Sequence, residues 1–424
     1  MYNERMKPTS LPGRTEITNS PDFERKIEEV LSRGVVEVID KENLRKRMLR
    51  GDIFRIKMGI DPTGPNIHIG RGASLMKLRD FQELGHQVVL IIGDATATVG
   101  DSSDKASCRE RLTPEQVRQN ERNYLSQIGK ILDISKVEIH HNSEWIRKID
   151  FDIWLQLASC FTLQQIIERK NYAKRIDSGN PVGFHETLYP LLQGWDSVNI
   201  RADVEIGGTD QLFNLNAGRK IQERFGQKSQ DILTLMLLTG TDGRKMSTSW
   251  GNVILINDPP DKKYGKLMSV PDYLIPVYME CATRIPMERV KEVVGLLKDE
   301  VGNPMDYKKE LAFALVEQYD GKEAAEKARN SFEKTVQNRE LPEVIPVVTI
   351  SGSLEINRLI QELVRTNLVR SKSEAKRLIE QKGVSIEGEV FLPDQTVIVP
   401  EGGIVVKVGK RRYLKFEQDK EGGE

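Results

Sequence analysis

The stretch 57–71 constrains the fold most strongly, because it reads as a buried strand that runs through a turn into the start of a helix. The Pro/Gly-rich segment 61–65 ends the strand, and we expect Asn66 to cap the helix that follows. His68 and Gly70 then fall where free backbone N–H groups face an anion. The stretch therefore predicts an anion site at a strand-to-helix junction.

A second strand follows soon after this junction. The helix that begins near Gly70 is predicted to end at Gly85, and residues 88–94 form a fully apolar strand. Strand, turn, helix and strand in succession are one unit of a doubly wound parallel sheet, so we predict an α/β, Rossmann-like fold. Ligands of such sheets bind at the carboxyl ends of the strands.

The length of the chain, 424 residues, exceeds one ordinary core and indicates several domains. We predict an α/β domain with a helical insertion, an α-helical domain and a small α+β domain. The expected boundaries are 1–50 for an N-terminal helical extension, 51–255 for the α/β domain, 114–169 for the insertion within it, 256–340 for the helical domain, 341–353 for a linker and 354–424 for the last domain.

Composition excludes several classes of protein. Lys+Arg and Asp+Glu both number 63, so a generally basic surface is excluded and any nucleic-acid contact must come from a local patch. The cysteines are far apart in sequence and form no CxxC pair, so we expect neither a protein-bound metal nor a disulfide framework. No apolar run has membrane-spanning length, and we expect a cytoplasmic protein without a membrane partner.

A polar stripe lies on an otherwise apolar helix. Tyr189, Gln193 and Asp196 stand at i, i+4 and i+7, which places a phenol, an amide and a carboxylate on one helix face. A polar stripe is often solvated, but the apolar neighbours, including Trp195, disfavour a fully exposed helix. A buried carboxylate here would accept a hydrogen bond from a substrate hydroxyl.

Two further loops contain candidate nucleotide-binding and phosphate-binding residues. The strand that ends at Gly207 and Gly208 predicts close backbone approach to a nucleotide, with Asp210 near its ribose. The segment 100–109 reads either as an ordinary exposed loop or as a mobile loop whose Lys105 and Arg109 close over pyrophosphate.

Four motifs occur in a fixed order along the chain. They are His-Ile-Gly-Arg at 68–71, Tyr-Pro-Leu-Leu-Gln-Gly-Trp-Asp at 189–196, Gly-Gly-Thr-Asp-Gln at 207–211 and Lys-Met-Ser-Thr-Ser at 245–249. In this order, and with Asp-Pro-Thr before the first motif, the chain resembles the bacterial tyrosyl-tRNA synthetases of class I over nearly its whole length. The resemblance implies a tyrosine–tRNA ligase whose substrates are L-tyrosine, ATP with Mg²⁺ and tRNA(Tyr).

The resemblance also implies roles for individual residues. Asp196 would receive the phenolic hydroxyl of tyrosine. The remaining implied tyrosine-binding residues are Tyr189, Gln193 and Asp101 around the α-ammonium and Gln211 near the carboxylate. The implied ATP-binding residues are Gly59, Asp61, Gly70, Arg71, Gly207, Asp210, Lys245, Ser247 and Ser249. The implied catalytic donors to phosphate are Thr63, His68, Lys245, Lys105 and Arg109.

The chain departs from the family pattern at three positions. Arg71 replaces the second His of the first signature, near the nucleotide ribose, and a guanidinium there is also suited to phosphate. Thr248 replaces the second Lys of the last signature. Lys57 stands where many members place a Tyr that contacts the substrate hydroxyl, so tyrosine selection is expected to depend mainly on Asp196.

The C-terminal segment resembles the S4 RNA-binding domain. Ser371 or Ser373 is expected to cap a helix with basic side chains, and a second basic cluster follows near the end of the chain. Such a helix face is often only solvated, but two clusters in a small unit favour phosphate contacts with structured RNA. The predicted RNA-binding residues are Arg370, Lys372, Lys376, Arg377, Lys410, Arg411 and Arg412.

Two alternatives to the ligase remain at this point. An RNA-binding or regulatory paralogue with weakened aminoacylation would account for Arg71 and Thr248, whereas the tryptophan-specific relative is disfavoured by Asp196 and the S4-like segment. The segment 114–169 corresponds to the dimer-forming insertion of the family, which implies a homodimer.

Overall fold

The computed structural model of the chain describes residues 20–101, 113–246, 250–334, 345–369, 371–409 and 412–419. The chain divides into two compact units, Met1–Ala325 and Glu326–Glu424. Within the described ranges, no helix has both the length and the apolar character needed to span a bilayer.

The first unit is built on a six-stranded sheet. Its strands are β1 (Val35–Ile39), β2 (Arg55–Ile60), β3 (Gln87–Ile92), β4 (Val137–His141), β5 (Val204–Gly208) and β6 (Asp231–Leu235). Their spatial order is β1-β6-β5-β2-β3-β4, and every pair is parallel except β1 with β6. The doubly wound sheet predicted from sequence is confirmed. The direction of winding reverses between β2 and β5, which is where such sheets bind ligands.

Helices cover both faces of this sheet and continue beyond it. They are α1 (Pro21–Val30), α2 (Lys41–Leu49), α3 (Ile69–Glu83), α4 (Thr96–Val99), α5 (Pro114–Ile128), α6 (Ser143–Ile146), α7 (Phe151–Ala158), α8 (Leu163–Ile167), α9 (Lys170–Asp177), α10 (Tyr189–Ile200), α11 (Leu212–Arg224), α12 (Pro260–Leu267), α13 (Ile275–Ala282), α14 (Met287–Lys298), α15 (Pro304–Asp320) and α16 (Lys322–Phe332). Residues 88–92 of β3 are fully buried, as expected for a strand covered on both faces.

Helix α10 packs closely against α11. A Cβ on Gly194 would lie 2.6 Å from Cδ1 of Ile221 and 3.2 Å from the carbonyl carbon of Ala217, so only glycine allows this approach. The close contact fixes the position of the helix that carries the polar stripe.

The second unit contains a five-stranded sheet with helices. Its elements are β7 (Val347–Ile350), β8 (Ser353–Leu354), α17 (Ile356–Arg365), α18 (Lys372–Glu380), β9 (Val384–Ile386), β10 (Glu389–Val390), β11 (Val397–Ile398), β12 (Ile404–Val408) and β13 (Arg412–Gln418). The sheet order is β10-β9-β12-β13-β7, and β8 pairs with β11 separately. Buried residues from both helices and the sheet, among them Leu363 and Phe416, form one core.

Two sequence predictions about these elements are wrong. The extension 1–50 is not purely helical, because its β-branched segment 35–39 forms β1 and pairs antiparallel with β6. The segment 341–353 is not only a linker, because 347–350 is also β-branched and pairs with β13. In both cases the segment becomes a strand because it pairs with a strand that is distant in sequence.

Smaller differences concern helix ends. The apolar periodicity of the sequence predicts one helix over 114–132 and another over 153–169. The first ends at Ile128, and the second segment forms two helices, α7 and α8. Thr162 separates them, because its side chain accepts a hydrogen bond from the backbone N–H of Gln165 and begins a new helix.

Candidate active site

The carboxyl ends of β5, β2 and β3 lie side by side, and several of the predicted site residues are at these ends or directly after them. Asp61 follows β2, Gly93 follows β3, and Gly207 and Gly208 end β5. Helix α10 contributes Tyr189, Gln193 and Asp196, and all three side chains belong to its inward face. The structure therefore brings together segments that are far apart in sequence.

Asp61 is held in a buried cluster. Its Oδ1 accepts a hydrogen bond from Oγ1 of Thr96 (2.8 Å), and its Oδ2 accepts one from the Tyr189 hydroxyl (3.0 Å). Burial raises the pKa of Asp61 to about 6, and the nearby charge of Asp101 adds to the rise. A Cβ on Gly93 would lie 1.9 Å from Oδ1 of Asp61, so Gly93 is required for this arrangement.

Asp101 is oriented by Gln211, in the turn that follows β5. Its Oδ2 accepts a hydrogen bond from Nε2 of Gln211 (2.7 Å), and Oε1 of Gln211 accepts one from Nδ2 of Asn214 (2.9 Å). Asp61 and Asp101 both act on the Tyr189 phenol, whose pKa is raised by burial and by their charges. Two carboxylates around one phenol form a site that attracts a cation.

Asp196 lies deep in the same region, with 3 % of its surface exposed. Its Oδ1 accepts a hydrogen bond from Nε1 of Trp145 (2.7 Å), and its Oδ2 lies 3.5 Å from Nδ2 of Asn142. Burial raises the pKa of Asp196 to about 7, while the positive charge of Lys57 opposes the rise. A carboxylate accepts more hydrogen bonds than these two, so Asp196 retains capacity for a hydroxyl donor.

Sequence reasoning missed Trp145 and Asn142. Both follow β4 within the segment predicted as an insertion, and β4 is the edge strand next to β3. No local pattern indicates that an indole and an amide from this segment reach α10. Only the pairing of β4 with β3 places them beside Asp196.

His68, rather than Asn66, caps helix α3, so the predicted cap is wrong by two residues. Nδ1 of His68 accepts a hydrogen bond from the backbone N–H of Arg71 (3.4 Å), which places the ring proton on Nε2. Burial lowers the pKa of His68 to about 4, and the charges of Arg71 and Lys245 contribute to the decrease. At neutral pH the ring is therefore an uncharged N–H donor.

Arg71 clamps the turn before its own helix. Its Nη1 donates to the carbonyl oxygen of Asp61 (3.0 Å) and to the hydroxyl of Tyr124 (3.2 Å). Arg71 thus braces the Pro/Gly turn that contains Thr63, whose backbone N–H donates to the same Asp61 carbonyl (2.8 Å).

Asn252 holds the base of the loop that contains Lys245 through hydrogen bonds. Nδ2 of Asn252 donates to the carbonyl oxygen of Lys245 (2.9 Å) and to Oδ1 of Asp242 (2.8 Å). Nζ of Lys245 lies 3.8 Å from Oδ2 of Asp210, at the end of β5. Lys245 therefore lies next to the third motif.

Three glycines at this edge of the sheet differ in what lies beside them. No atom lies within 4 Å of a Cβ built on Gly59, whereas one on Gly70 would meet Nδ1 of His68 at 3.0 Å and the sulfur of Met246 at 3.1 Å. Gly70 therefore allows Met246 to approach the start of α3. At Gly207 the nearest atom to a built Cβ is Cβ of Gln211, at 3.2 Å.

The predicted basic helix of the second unit is present. Ser371 caps α18 by accepting the backbone N–H of Glu374, which decides between the two candidate serines. Lys372, Lys376 and Arg377 are exposed on this helix. Arg412 is instead engaged within the unit: its Nη1 donates to the carbonyl oxygen of Leu368 and lies 3.3 Å from Oε1 of Glu374.

Several predicted residues lie outside the described residues. They are Lys105, Arg109, Ser247, Ser249, Arg370, Lys410 and Arg411, together with Thr248. Among the residues that are described, no group of three or more His, Cys, Asp or Glu side chains is arranged to hold a metal ion.

The chain is similar to known proteins over most of its length. Residues 50–337 match the family described as tRNA synthetases class I (W and Y). The chain is 46% identical to a tyrosine–tRNA ligase of Thermotoga maritima over 91% of its own length and 96% of the relative's. It is 43% identical to the tyrosine–tRNA ligase of Carboxydothermus hydrogenoformans over 92% of its own length and 97% of the relative's.

A solved structure shows the same fold. The chain superposes on a C-terminally truncated mitochondrial tyrosyl-tRNA synthetase of Aspergillus nidulans with a TM-score of 0.62 and 21% identity. The match covers 77% of this chain and 98% of that one. The predicted α/β class of the first unit is confirmed at the level of fold.

Proposed function

The chain belongs to the class I tRNA synthetases of the tryptophan and tyrosine group, and from that premise we propose that it is a tyrosine–tRNA ligase. It joins L-tyrosine to ATP to give tyrosyl-adenylate and pyrophosphate, and then transfers tyrosine to the 3′ end of tRNA(Tyr). The observation that carries the proposal is the buried Asp196 carboxylate, which is suited to a phenolic hydroxyl.

The tyrosine side chain is expected to lie along α10. Asp196 accepts its hydroxyl, and phenylalanine is disfavoured because it offers no donor for the acceptor capacity that Trp145 and Asn142 leave unused on this buried carboxylate. Asp101 and Tyr189, with Asp61 beside them, surround the α-ammonium at the site where two carboxylates converge. Gln193 supports this face, and Gln211, which orients Asp101, lies on the side of the substrate carboxylate.

ATP is expected at the switch between β2 and β5. Gly59, where a built Cβ meets no atom within 4 Å, allows close approach of the nucleotide. Gly207 is proposed to lie beside the nucleotide, and Asp210 to bind the ribose. His68 and Thr63 face the γ-phosphate side, and Lys245 approaches from the last signature segment. The other proposed ATP contacts are Asp61, Gly70, Arg71, Ser247 and Ser249. Mg²⁺ arrives as part of the Mg·ATP substrate.

The chemistry needs no nucleophile from the protein. The tyrosine carboxylate oxygen attacks the α-phosphorus in line, and the bond to the bridging oxygen breaks, so that pyrophosphate leaves with the electron pair. Neutral His68 donates its Nε2 proton as a hydrogen bond without adding charge, and Lys245 stabilises phosphate charge. Lys105 and Arg109 are proposed to close over the leaving group.

The second unit is proposed to be an S4-like domain that contacts tRNA through phosphates. Lys372, Lys376 and Arg377 present three exposed cations on α18, and Arg370, Lys410 and Arg411 are proposed to extend the basic surface. Arg412 is proposed to add to this basic surface from its position beside Glu374. Since tRNA and ATP are its substrates, we propose that the protein acts in the cytoplasm.

We further propose a homodimer formed through the region 151–184. Large apolar side chains are strongly exposed there, which is costly for a protein that remains a monomer. They are Phe151, Leu155, Leu163, Ile176 and Phe184, exposed by 74, 53, 62, 50 and 75 %. The segment overlaps the predicted dimer-forming insertion.

Tyrosine-dependent exchange of pyrophosphate into ATP tests the proposed ligase. At saturating Mg·ATP, tyrosine should support exchange and phenylalanine should support it far less. Asp196→Ala should reduce this discrimination, because the buried carboxylate that needs a hydroxyl donor is gone. Absence of exchange with tyrosine would overturn the proposal in favour of a binding paralogue.

A further inference from the structure

Lys57 is fully buried in β2 at the base of the tyrosine site, with no exposed surface. Its Nζ donates to the carbonyl oxygen of Gln193 (2.8 Å) and to Oγ of Ser197 (2.7 Å), and it lies 2.9 Å from Oε1 of Glu205. An ammonium group has three N–H donors, and these three acceptors use all of them. Lys57 therefore has no donor left for a substrate hydroxyl.

Glu205 completes a hydrogen-bonded cluster on the neighbouring strand β5. Its Oε1 also accepts Nε2 of Gln193 (3.0 Å), and its Oε2 accepts the hydroxyl of Ser197 (3.2 Å) and Nε2 of Gln230. The charge of Lys57 is thus balanced by a carboxylate that is itself fully hydrogen-bonded, which is the condition under which a buried ion pair is tolerated.

The contacts of Lys57 fall on one turn of α10. Gln193 and Ser197 are four residues apart, so the two atoms that Lys57 contacts flank Asp196 on the helix. Gln193 is held from both sides, through its carbonyl by Lys57 and through its amide by Glu205. A β2 ammonium group therefore fixes the turn that carries the residue for hydroxyl recognition.

We propose that Lys57, paired with Glu205, is a positioning residue for tyrosine selection: it fixes the Asp196 turn and supplies positive charge behind the Asp196 carboxylate without contacting the substrate. This inference rests on the proposed tyrosine site.

The charges around Asp196 predict the direction in which each variant should shift its ionisation. Lys57 from β2 favours the ionised carboxylate, and Glu205 from β5 disfavours it. Trp145 and Asn142 donate to it, and His140 packs its ring against Trp145. The charges of Asp61, Asp101 and Asp196 all raise the pKa of the Tyr189 hydroxyl. Removing one member of the Lys57–Glu205 pair should therefore shift the ionisation of Asp196 in a direction set by the member removed.

The experiment compares Lys57→Met, Glu205→Gln and the double variant in the full-length protein. Tyrosine-dependent pyrophosphate exchange is measured against pH, with kcat and KM for tyrosine separated. The double variant leaves no unpaired buried charge, so it remains informative if Lys57→Met fails to fold. Lys77→Met is the matched control, because Lys77 is also a buried lysine but donates to Val30 and lies near Asp80 on α3.

We expect the double variant to raise KM for tyrosine by about tenfold to hundredfold with a smaller change in kcat. The acidic limb of the kcat/KM profile should move to higher pH in Lys57→Met, to lower pH in Glu205→Gln, and to an intermediate position in the double variant. Lys77→Met should leave both KM and the limb unchanged.

Two results would overturn the proposal. One is a wild-type KM for tyrosine in the double variant, and the other is a loss of thermal stability in the variants without opposite shifts of the acidic limb in Lys57→Met and Glu205→Gln. Failure of the wild-type protein to catalyse exchange would instead contradict the proposed function, so the two failures are distinguishable.

Discussion

Burial of Asp196 opposes folding in the absence of substrate. Its pKa in the folded chain is about 7, above the ordinary value of 3.8, so the folded state holds more protons than the unfolded state between these values. Below pH 3.8 Asp196 is protonated in both states, and its burial then has no ionisation cost. The free energy of unfolding falls as the pH rises from 3.8 to about 7, because the unfolded state ionises first. Asp61, with its raised pKa, adds to the same trend.

Asp196→Asn should therefore stabilise the free protein at pH 8. The expected gain in the free energy of unfolding is about 1–3 kcal/mol, because the amide needs no ionisation in a buried site. Chemical unfolding at pH 8 and at pH 5 measures it, and the gain should be smaller at pH 5. A gain that does not change with pH would contradict the pKa assigned to Asp196.

His68 has two separable roles, as a helix cap through Nδ1 and as a donor through Nε2. His68→Asn keeps a good capping side chain but removes the Nε2 donor, so kcat for adenylate formation should fall about a hundredfold with little loss of stability. His68→Ala should lose activity and also about 0.5–2 kcal/mol of stability.

Pyrophosphate exchange and thermal unfolding of both variants measure these effects. Because the pKa of His68 is about 4, neither variant should alter the pH profile of activity between pH 6 and 8. Equal loss of stability in the two variants would show that the ring does not act as a cap.

At the scale of elements, the site depends on how loops are fixed to strand ends. The loop with Lys245 is held by Asn252, whose side chain bonds both sides of the loop, and Gly240 allows that approach because its Cβ would lie 2.3 Å from Nδ2 of Asn252. The position of Lys245 therefore follows from a residue that does not itself face the site.

Asn252→Ala should loosen this loop. We expect kcat for pyrophosphate exchange to fall about tenfold, because Lys245 loses its fixed orientation toward the phosphates, while KM for tyrosine changes little. Steady-state kinetics with varied ATP and tyrosine measures this split. Asn216→Ala, which removes a helix-surface amide from α11, is the matched control. An unchanged kcat would show that the loop is fixed by other contacts.

At the scale of the whole molecule, the exposed apolar residues between 151 and 184 should determine the oligomeric state. Phe184→Asp should convert a dimer to monomers at micromolar concentration, because a charge replaces a large apolar contact. Sedimentation equilibrium measures the mass. Ile398→Asp, at an exposed apolar residue of the second unit, should leave the mass unchanged. A dimeric Phe184→Asp would place the interface elsewhere.

The basic helix of the second unit should affect tRNA and not tyrosine activation. Replacing Lys372, Lys376 and Arg377 by alanine should raise KM for tRNA and reduce the slope of log affinity against log salt by about 2 to 3. Tyrosine-dependent pyrophosphate exchange is the internal control and should be unchanged. An unaltered salt slope would show that these cations do not contact phosphates.

The sequence by itself determined the elements that local patterns define. Apolar runs identified β2 and β3, Pro/Gly segments identified the turns, and the i, i+4, i+7 spacing placed Tyr189, Gln193 and Asp196 on one helix face. The order of the motifs also determined the family. These features are local because strand and helix periodicity involve residues close in sequence.

Only the tertiary structure decided the features that join distant segments. Pairing with β6 made a strand of 35–39, and pairing of β4 with β3 brought Trp145 to Asp196. The enclosure of Lys57 against Glu205 requires the adjacency of β2 and β5, which are separated by more than a hundred residues. Burial and hydrogen-bond satisfaction depend on such neighbours, and therefore no local pattern could predict them.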